Sequence, residues 1–311
     1  MEQTQDRPFH LLFTMDCVPP GGPESVPGPA SWDDAERAML SFTEGLCALQ
    51  LKGTFFVAPQ CLKRLERTLS DLKAAGMELA LLCHPQLSNY QSYLGSYSFD
   101  RQREIVRLDL SVWQDQMGEP TDNFRAGFFS ANDYTFQVLC LEGFRQGSCS
   151  LPGRIDTDQC SLWQKAHPFA HHTDPLDRRI PGTMEFFETP VSSNFEARGD
   201  ALAEMFTPPH LRIEDPCINE HAAGLIAQCL DRMESEGVSV RTLVFVTHNT
   251  VGWGRPEDPH LERLRNLVRL THHAAAARGL QVVPATLQSV HQYADSVWPR
   301  SSFLNELEET A

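Results

Sequence analysis

No stretch of this chain is long and apolar enough to suggest a membrane span, and the opening MEQTQDRPFH lacks the apolar core that a secretory signal requires. A surplus of base is also missing. Against 41 acidic residues stand only 26 Lys and Arg, a formal charge of −15. That balance argues against nucleic acid or an anionic membrane as the main partner, since both call for a basic surface. The nine cysteines include no Cys-x-x-Cys pair and follow no framework spacing. They fit free thiols in a reducing, cytoplasmic setting better than a disulfide scaffold. Neither a Gly-x-Gly-x-x-Gly after the first strand nor a Walker-type loop occurs, which argues against the usual nucleotide and dinucleotide sites. Internal repeats and low-complexity tracts are lacking as well.

What is present is alternation. Strand-like runs are expected at 10–16, 52–58 (KGTFFVA), 77–83 (MELALLC), in NFRAG, FRQGSCS and TMEFFETPV, at 241–249 (RTLVFVTHN) and in LQVVPA. Helices are expected between them. One at 31–50 opens on SWDDAE, with an acidic first turn, and one at 99–118 ends on Gly118. Further helical spacing falls in CLKRLERTLSDLKAAG and SANDYTFQVLCLEG, and at 218–235, 257–278 and 286–296. The stretch 151–217 is loop-heavy, with scattered Pro, His and Asp. Strands separated by helices imply an α/β fold with a parallel sheet. A barrel is favoured over an open sheet because several strands end in a polar residue on the same side: Asp16, His84, Arg125, Ser148 and Ser150, and His248. The length suits one such unit, taken as residues 8–295 with 296–311 as a C-terminal tail.

Taken in order, FTMDC, KGTFFV, ELALLCHPQL, NFRAGFFSAND, GSCSLPG, FFETPV and LVFVTHNTVGWG resemble the NodB-like polysaccharide deacetylases, carbohydrate esterase family 4. The resemblance implies a deformed (β/α)7 barrel and a hydrolase that removes acyl groups from sugars with a divalent metal, commonly zinc. By position it makes Asp16 the general base, Arg125 the arginine that pairs with it, and His248 the general acid. Its metal carboxylate would fall on Cys17 or Val18, and of its paired histidines only His84 is present, because Leu82 stands at the other position. Any metal would therefore use His84 with Cys17, Asp16 or a loop histidine, and the site is either altered or empty. Cys83 alternates with His84 and should point to the opposite face.

Other candidates are weaker as sequence. Tyr90, Trp253 and TPPHLR (207–212) are placed to line a sugar groove, although isolated aromatics in loops commonly serve local packing. His167, His171, His172 and Asp174 form a histidine-rich loop that could bind metal or simply be solvated. Three functions stay open: a hydrolase releasing an acetyl or formyl group from an amino sugar or related small amide; a metal-free, non-hydrolytic acid–base enzyme; and a pseudoenzyme that binds a glycan or a protein partner. The partner expected is a small-molecule or carbohydrate substrate.

Overall fold

The computed structural model describes residues 7–197, 204–255 and 257–298. The first strand, β1 (Pro8–Cys17), is the hub. From Phe9 onward every residue on it is buried, as expected for a parallel strand covered on both faces. One edge of β1 pairs in parallel with β11 (Thr242–His248), His10 opposite Thr242 through Asp16 opposite His248. Its other edge is shared. Pro8–Leu12 pair with β12 (Gln281–Ala285), and Phe13–Cys17 pair with β2 (Gly53–Val57). The sheet continues through β3 (Glu78–Cys83), β4 (Asn123–Ala126) and β5 (Gln146–Gly147) to β9 (Phe187–Glu188), all parallel, and ends on antiparallel β8 (His171–His172).

The ring closes through irregular chain. Thr189 and Val191 donate their backbone N–H groups to Gly147 and Ser150 on one side, at 2.9 and 3.0 Å. On the other side Val244 of β11 donates to the Ser192 hydroxyl at 3.0 Å, and Leu211 donates to the Ser192 carbonyl at 2.9 Å. The curled sheet with its outer helices is the deformed (β/α)7 barrel expected from the sequence.

Helices α1 (Trp32–Ala48), α2 (Pro59–Leu62), α3 (Glu66–Ala74), α4 (Phe99–Met117), α5 (Thr135–Leu141), α6 (Ile218–Ser235), α7 (His260–Ala276) and α8 (Leu287–Val297) surround it. The Ser31 hydroxyl caps α1 by accepting from the Asp34 N–H at 3.1 Å. Gly118, in the left-handed region at φ 69°, ends α4 and donates to the Gln114 carbonyl. The run expected as one helix from Cys61 to Gly76 is two, because the chain turns between Leu62 and Glu66. FRQGSCS and TMEFFETPV shorten to two paired residues each. Hydrogen bonding there passes from strand ladders to loops and side chains. Two-residue strands β6 (Ile155–Asp156), β7 (Ser161–Leu162) and β10 (Met205–Phe206) form a small separate sheet that the sequence did not announce. The helix α8 runs one residue past the boundary expected at 296, and 299–311 lie outside the described residues. All nine cysteines are free, and among the described residues no helix is long and apolar enough to cross a membrane.

Candidate active site

Asp16 and His248 sit in register on neighbouring strands, at the ends where both chains leave the sheet. Asp16 is held from behind by Arg125 of β4, which is fully buried. The guanidinium donates from Nη1 to Asp16 Oδ1 at 2.6 Å and to Thr14 Oγ1 at 3.0 Å. It also donates from Nε to the Ser148 carbonyl at 2.8 Å and from Nη2 to the Ser148 hydroxyl at 2.7 Å. Its flat face lies 4.0 Å from the centre of the Phe56 ring. A buried charge is tolerated only when paired and hydrogen-bonded in this way. Asp16 is thereby fixed and keeps its remaining carboxylate edge toward the barrel mouth.

His248 has a partner that sequence reasoning missed. Its Nδ1 lies 2.5 Å from Oε1 of Glu214, a residue in the loop before α6 whose side chain is only 8% exposed. A carboxylate can only accept, so Nδ1 carries the proton and Nε2 is left for the cavity. Arg212 donates from Nε to the same oxygen at 2.8 Å. Burial alone would push the Glu214 carboxyl up, but His248 and Arg212 overcome it and hold the group down at about 2. The loop is placed by the barrel itself: Ile213 donates to the Val246 carbonyl at 3.0 Å, fastening Glu214 beside the end of β11.

His84 follows β3 and is buried at the same mouth, its imidazole held neutral at about 4 mainly by burial, with Asp16 and His248 close enough to act on it in opposite senses. The backbone of Gly127 passes so close that a Cβ there would lie 2.2–2.5 Å from the imidazole ring atoms. Glycine at 127 is what makes room for His84. The next two residues, Phe128 and Phe129, both have φ 57°, an uncommon conformation for aromatic side chains. Phe128 sets its ring edge-on to His84, with centroids 5.0 Å apart. Strain of this kind collects at functional sites.

These groups open on one cavity of about 320 Å³ lined by Asp16, His84 and His248, by Val18, Phe128 and Phe129, and by Arg154, Gln159, Thr207, His210 and Arg212. The TPPHLR segment contributes Thr207, His210 and Arg212 to its wall. Tyr90 and Trp253 do not. The Tyr90 hydroxyl donates to Glu104 at 3.0 Å and its ring packs on Tyr97. Trp253 is a core residue beside Phe42, with its indole N–H on Thr247. Cys17 is also turned away: fully buried beside Cys61, it makes its contact with the Met15 carbonyl, and burial raises its thiol pKa well above the ordinary value. Cys83 faces away from His84 as expected, toward Asp109.

The structure of Puue allantoinase is similar with a TM-score of 0.60 at 13% identity, over 96% of this chain and 93% of that one. A probable polysaccharide deacetylase from Pseudomonas aeruginosa PAO1 is similar with a TM-score of 0.59 at 14% identity, over 94% and 93%. The fold is that of the NodB-like polysaccharide deacetylases. No family model matches the sequence and no curated protein is similar to it, so the likeness lies in the chain path.

Within this polysaccharide-deacetylase fold the mouth does not fit a metal held by three protein ligands. Val18 lines the cavity without a donor atom, Leu82 is fully buried, and Cys17 points elsewhere. Among the described residues only one trio of His, Cys, Asp or Glu brings its ligand atoms within 4.8 Å of one another, and it lies outside this cavity.

Proposed function

We propose that the chain hydrolyses the amide bond of a small polar substrate, an N-acyl amino sugar or a related amide, using Asp16 as base and His248 as acid. The observation that carries this reading is the pairing itself. Two titratable groups in register share one cavity, and each is fixed from outside it by an opposite charge: Asp16 by Arg125, His248 by Glu214. Structural ion pairs have no need to present their remaining polar edges to a common space.

In the reaction Asp16 takes a proton from a water molecule as the oxygen attacks the acyl carbon. His248 enters the cycle as an imidazolium, with a second proton from solvent on Nε2. The tetrahedral intermediate then collapses as His248 gives that proton to the departing nitrogen and reverts to the Nδ1–H form, releasing a carboxylic acid and an amine. Asp16 returns its proton to solvent. Glu214 balances the imidazolium charge while Nε2 holds its proton. His84 is the neutral group on the same wall available to hydrogen-bond the developing oxyanion, a contribution that preorganised donors make without reorganising. A cavity near 320 Å³ is at the lower end of small-molecule sites and takes one sugar-sized unit.

The test is turnover of wild type and Asp16→Asn against N-acetyl and N-formyl amino sugars, with allantoin added because of the allantoinase likeness. Each assay is run before and after treatment with a chelator. Turnover that survives chelation and falls in Asp16→Asn is the expected result. Turnover that vanishes on chelation and returns with zinc would refute the metal-free mechanism, and a wild type that binds but converts none of the panel would favour the binding-protein reading.

A further inference from the structure

The histidine-rich stretch of 167–174 supplies no residue to the cavity wall. His171 is buried with Nδ1 2.7 Å from the Phe169 carbonyl, and Asp174 accepts from the backbone of Leu176 and Asp177 in a local turn. Arginines do reach the wall. Arg154 precedes β6, Arg212 lies in the TPPHLR run, and both line the cavity. Each is met by a carboxylate that does not line it. Arg212 uses Nε on Glu214 Oε1 at 2.8 Å, and among the described residues no acceptor meets its Nη1 or Nη2. Arg154 uses Nη2 on Asp156 Oδ2 at 3.2 Å and on Gln159 Oε1 at 2.6 Å, while its buried Nε has no hydrogen-bond partner.

We propose that these two arginines hold a carboxylate on the amine half of the substrate, so that the amide cleaved is that of an N-acyl amino acid. The direction rests on the hydrolysis proposed above. There Asp16 sends water to the acyl carbon and His84 meets the oxyanion, so the acyl half lies on their side. His248 serves the departing nitrogen. Arg212 and His248 share one oxygen of Glu214, at 2.8 and 2.5 Å, which sets the guanidinium beside the imidazole and next to the amine half. The two open Nη groups of Arg212 form a fork that fits the two oxygens of a carboxylate.

The charges on the wall agree. Of the groups that line the cavity only Asp16 is acidic, and Arg125 already pairs with it. An arriving carboxylate therefore meets positive charge without meeting an unpaired anion. Burial lowers the pKa of Arg154, Asp156 opposes that, and the neighbouring Arg212 adds to the lowering. Two guanidiniums placed in this way repel each other, and an anion held by both relieves the repulsion. His210 on the same wall lies near both, but burial keeps its imidazole neutral at about 4, so it adds no charge of its own. A neutral substrate at this place would cover N–H donors without giving them an acceptor, which opposes its binding.

The experiment measures binding calorimetrically to full-length Asp16→Asn, with turnover by wild type followed in parallel. Three probes of similar size are compared: N-acetyl-β-alanine; its neutral primary amide; and N-methylsuccinamate, an isomer whose reversed amide moves the carboxylate to the acyl half. N-acetyl-β-alanine should bind at least about 10-fold more tightly than either, the worth of one charge-assisted pair. Adding Arg212→Gln should remove that advantage while the neutral amide stays within about twofold of its former affinity. Arg212 has 42% of its side chain exposed, so this variant should fold. Arg154→Lys keeps a charge for Asp156 and should reduce the advantage by at least about threefold. Equal affinity for the acid and its amide, tighter binding of N-methylsuccinamate, no binding of any probe, or an advantage that survives Arg212→Gln would overturn the proposal. Failure of the hydrolysis reading looks different. Wild type would then turn over none of these amides while the Arg212-dependent preference stood, which would keep the carboxylate site and remove only the chemistry.

Discussion

Replacing Glu214 by Gln isolates the group that sequence reasoning did not find. The substitution preserves shape and leaves an amide oxygen to accept from His248, but it removes the charge. In the native protein the Glu214 carboxyl sits at about 2 instead of the ordinary 4.5, despite burial that opposes ionisation. At about 1.4 kcal/mol per pH unit, that gap corresponds to about 3 kcal/mol of preference for the ionised form. If the carboxylate supports an imidazolium at His248 during proton transfer, kcat should fall by about the same energy, roughly 10²-fold. KM should change little, because Glu214 does not line the cavity. The carboxylate remains charged well above pH 2, so the deficit should be constant from pH 5 to 9. The same depressed pKa stabilises the fold above about pH 4.5 and loses that contribution as pH falls through 2. Glu214→Gln should accordingly unfold at a lower temperature at pH 7 and lose less on acidification. Glu214→Asp, which restores charge on a shorter arm, should recover part of kcat. The assay is steady-state turnover of wild type and both variants on whichever amide proves to be the substrate, with thermal unfolding in parallel. A folded Glu214→Gln enzyme with kcat within twofold of wild type would show that this pair is structural.

Further outcomes follow from the same geometry. Asp16→Asn should cost about 10²–10⁴ in turnover, the usual worth of a positioned base, with ligand binding retained. Arg125→Ala leaves Asp16 with a broken buried pair and should destabilise by about 3–5 kcal/mol in chemical unfolding. Lysine at 125 should not rescue it, since one ammonium cannot serve Asp16 and both Ser148 oxygens. Gly127→Ala should displace His84 or the Phe128 turn and lower both activity and melting temperature, because the added carbon meets imidazole atoms at 2.2–2.5 Å. Finally, burial keeps the imidazoles of His10, His84 and His210 at about 4 and that of His171 at about 3. The unfolded chain takes up these protons first, so the urea midpoint should fall between pH 6.5 and 4. Glu188, raised by burial to about 7, and Asp109, raised to about 6, offset this only in part.

What was legible in the sequence follows the range of the signal. Asp16, Arg125 and His248 could be picked out because each ends or interrupts an apolar run, and parallel register does the rest: parallel strands that leave the sheet on the same side bring their C-terminal residues to one mouth. The same period-two logic that turned Cys83 away from His84 also applies to Cys17. It follows Asp16 directly on a strand, so one of the two must face the outer layer, and the structure gives the inward place to the carboxylate. Trp253 and Tyr90 misled because a loop aromatic carries no periodic sign of which way it faces, and both found packing or hydrogen-bonding partners nearby.

Glu214 was hidden for a different reason. Its partner is 34 residues further along, and nothing in RIEDP distinguishes a buried, charge-paired glutamate from an exposed one. The segment from 151 to 217 has few strand or helix signals because many of its backbone hydrogen bonds go to the barrel: Val191 to Ser150, Ser192 to Val244, Ile213 to Val246. Such bonds are tertiary, so no local pattern encodes them. Yet this segment supplies Arg154, Gln159, Thr207, His210 and Arg212 to the cavity wall and Glu214 behind it. The division explains which features can be read from the chain alone. Strands with a repeating pattern carry Asp16 and His248, the groups proposed for proton transfer, while chain without one shapes the space around them. If the chain hydrolyses an amide as proposed, choice of substrate should lie with the irregular segment, and exchanging residues at 154, 159, 207 and 210 should alter which amide is accepted before it alters the chemistry performed on it.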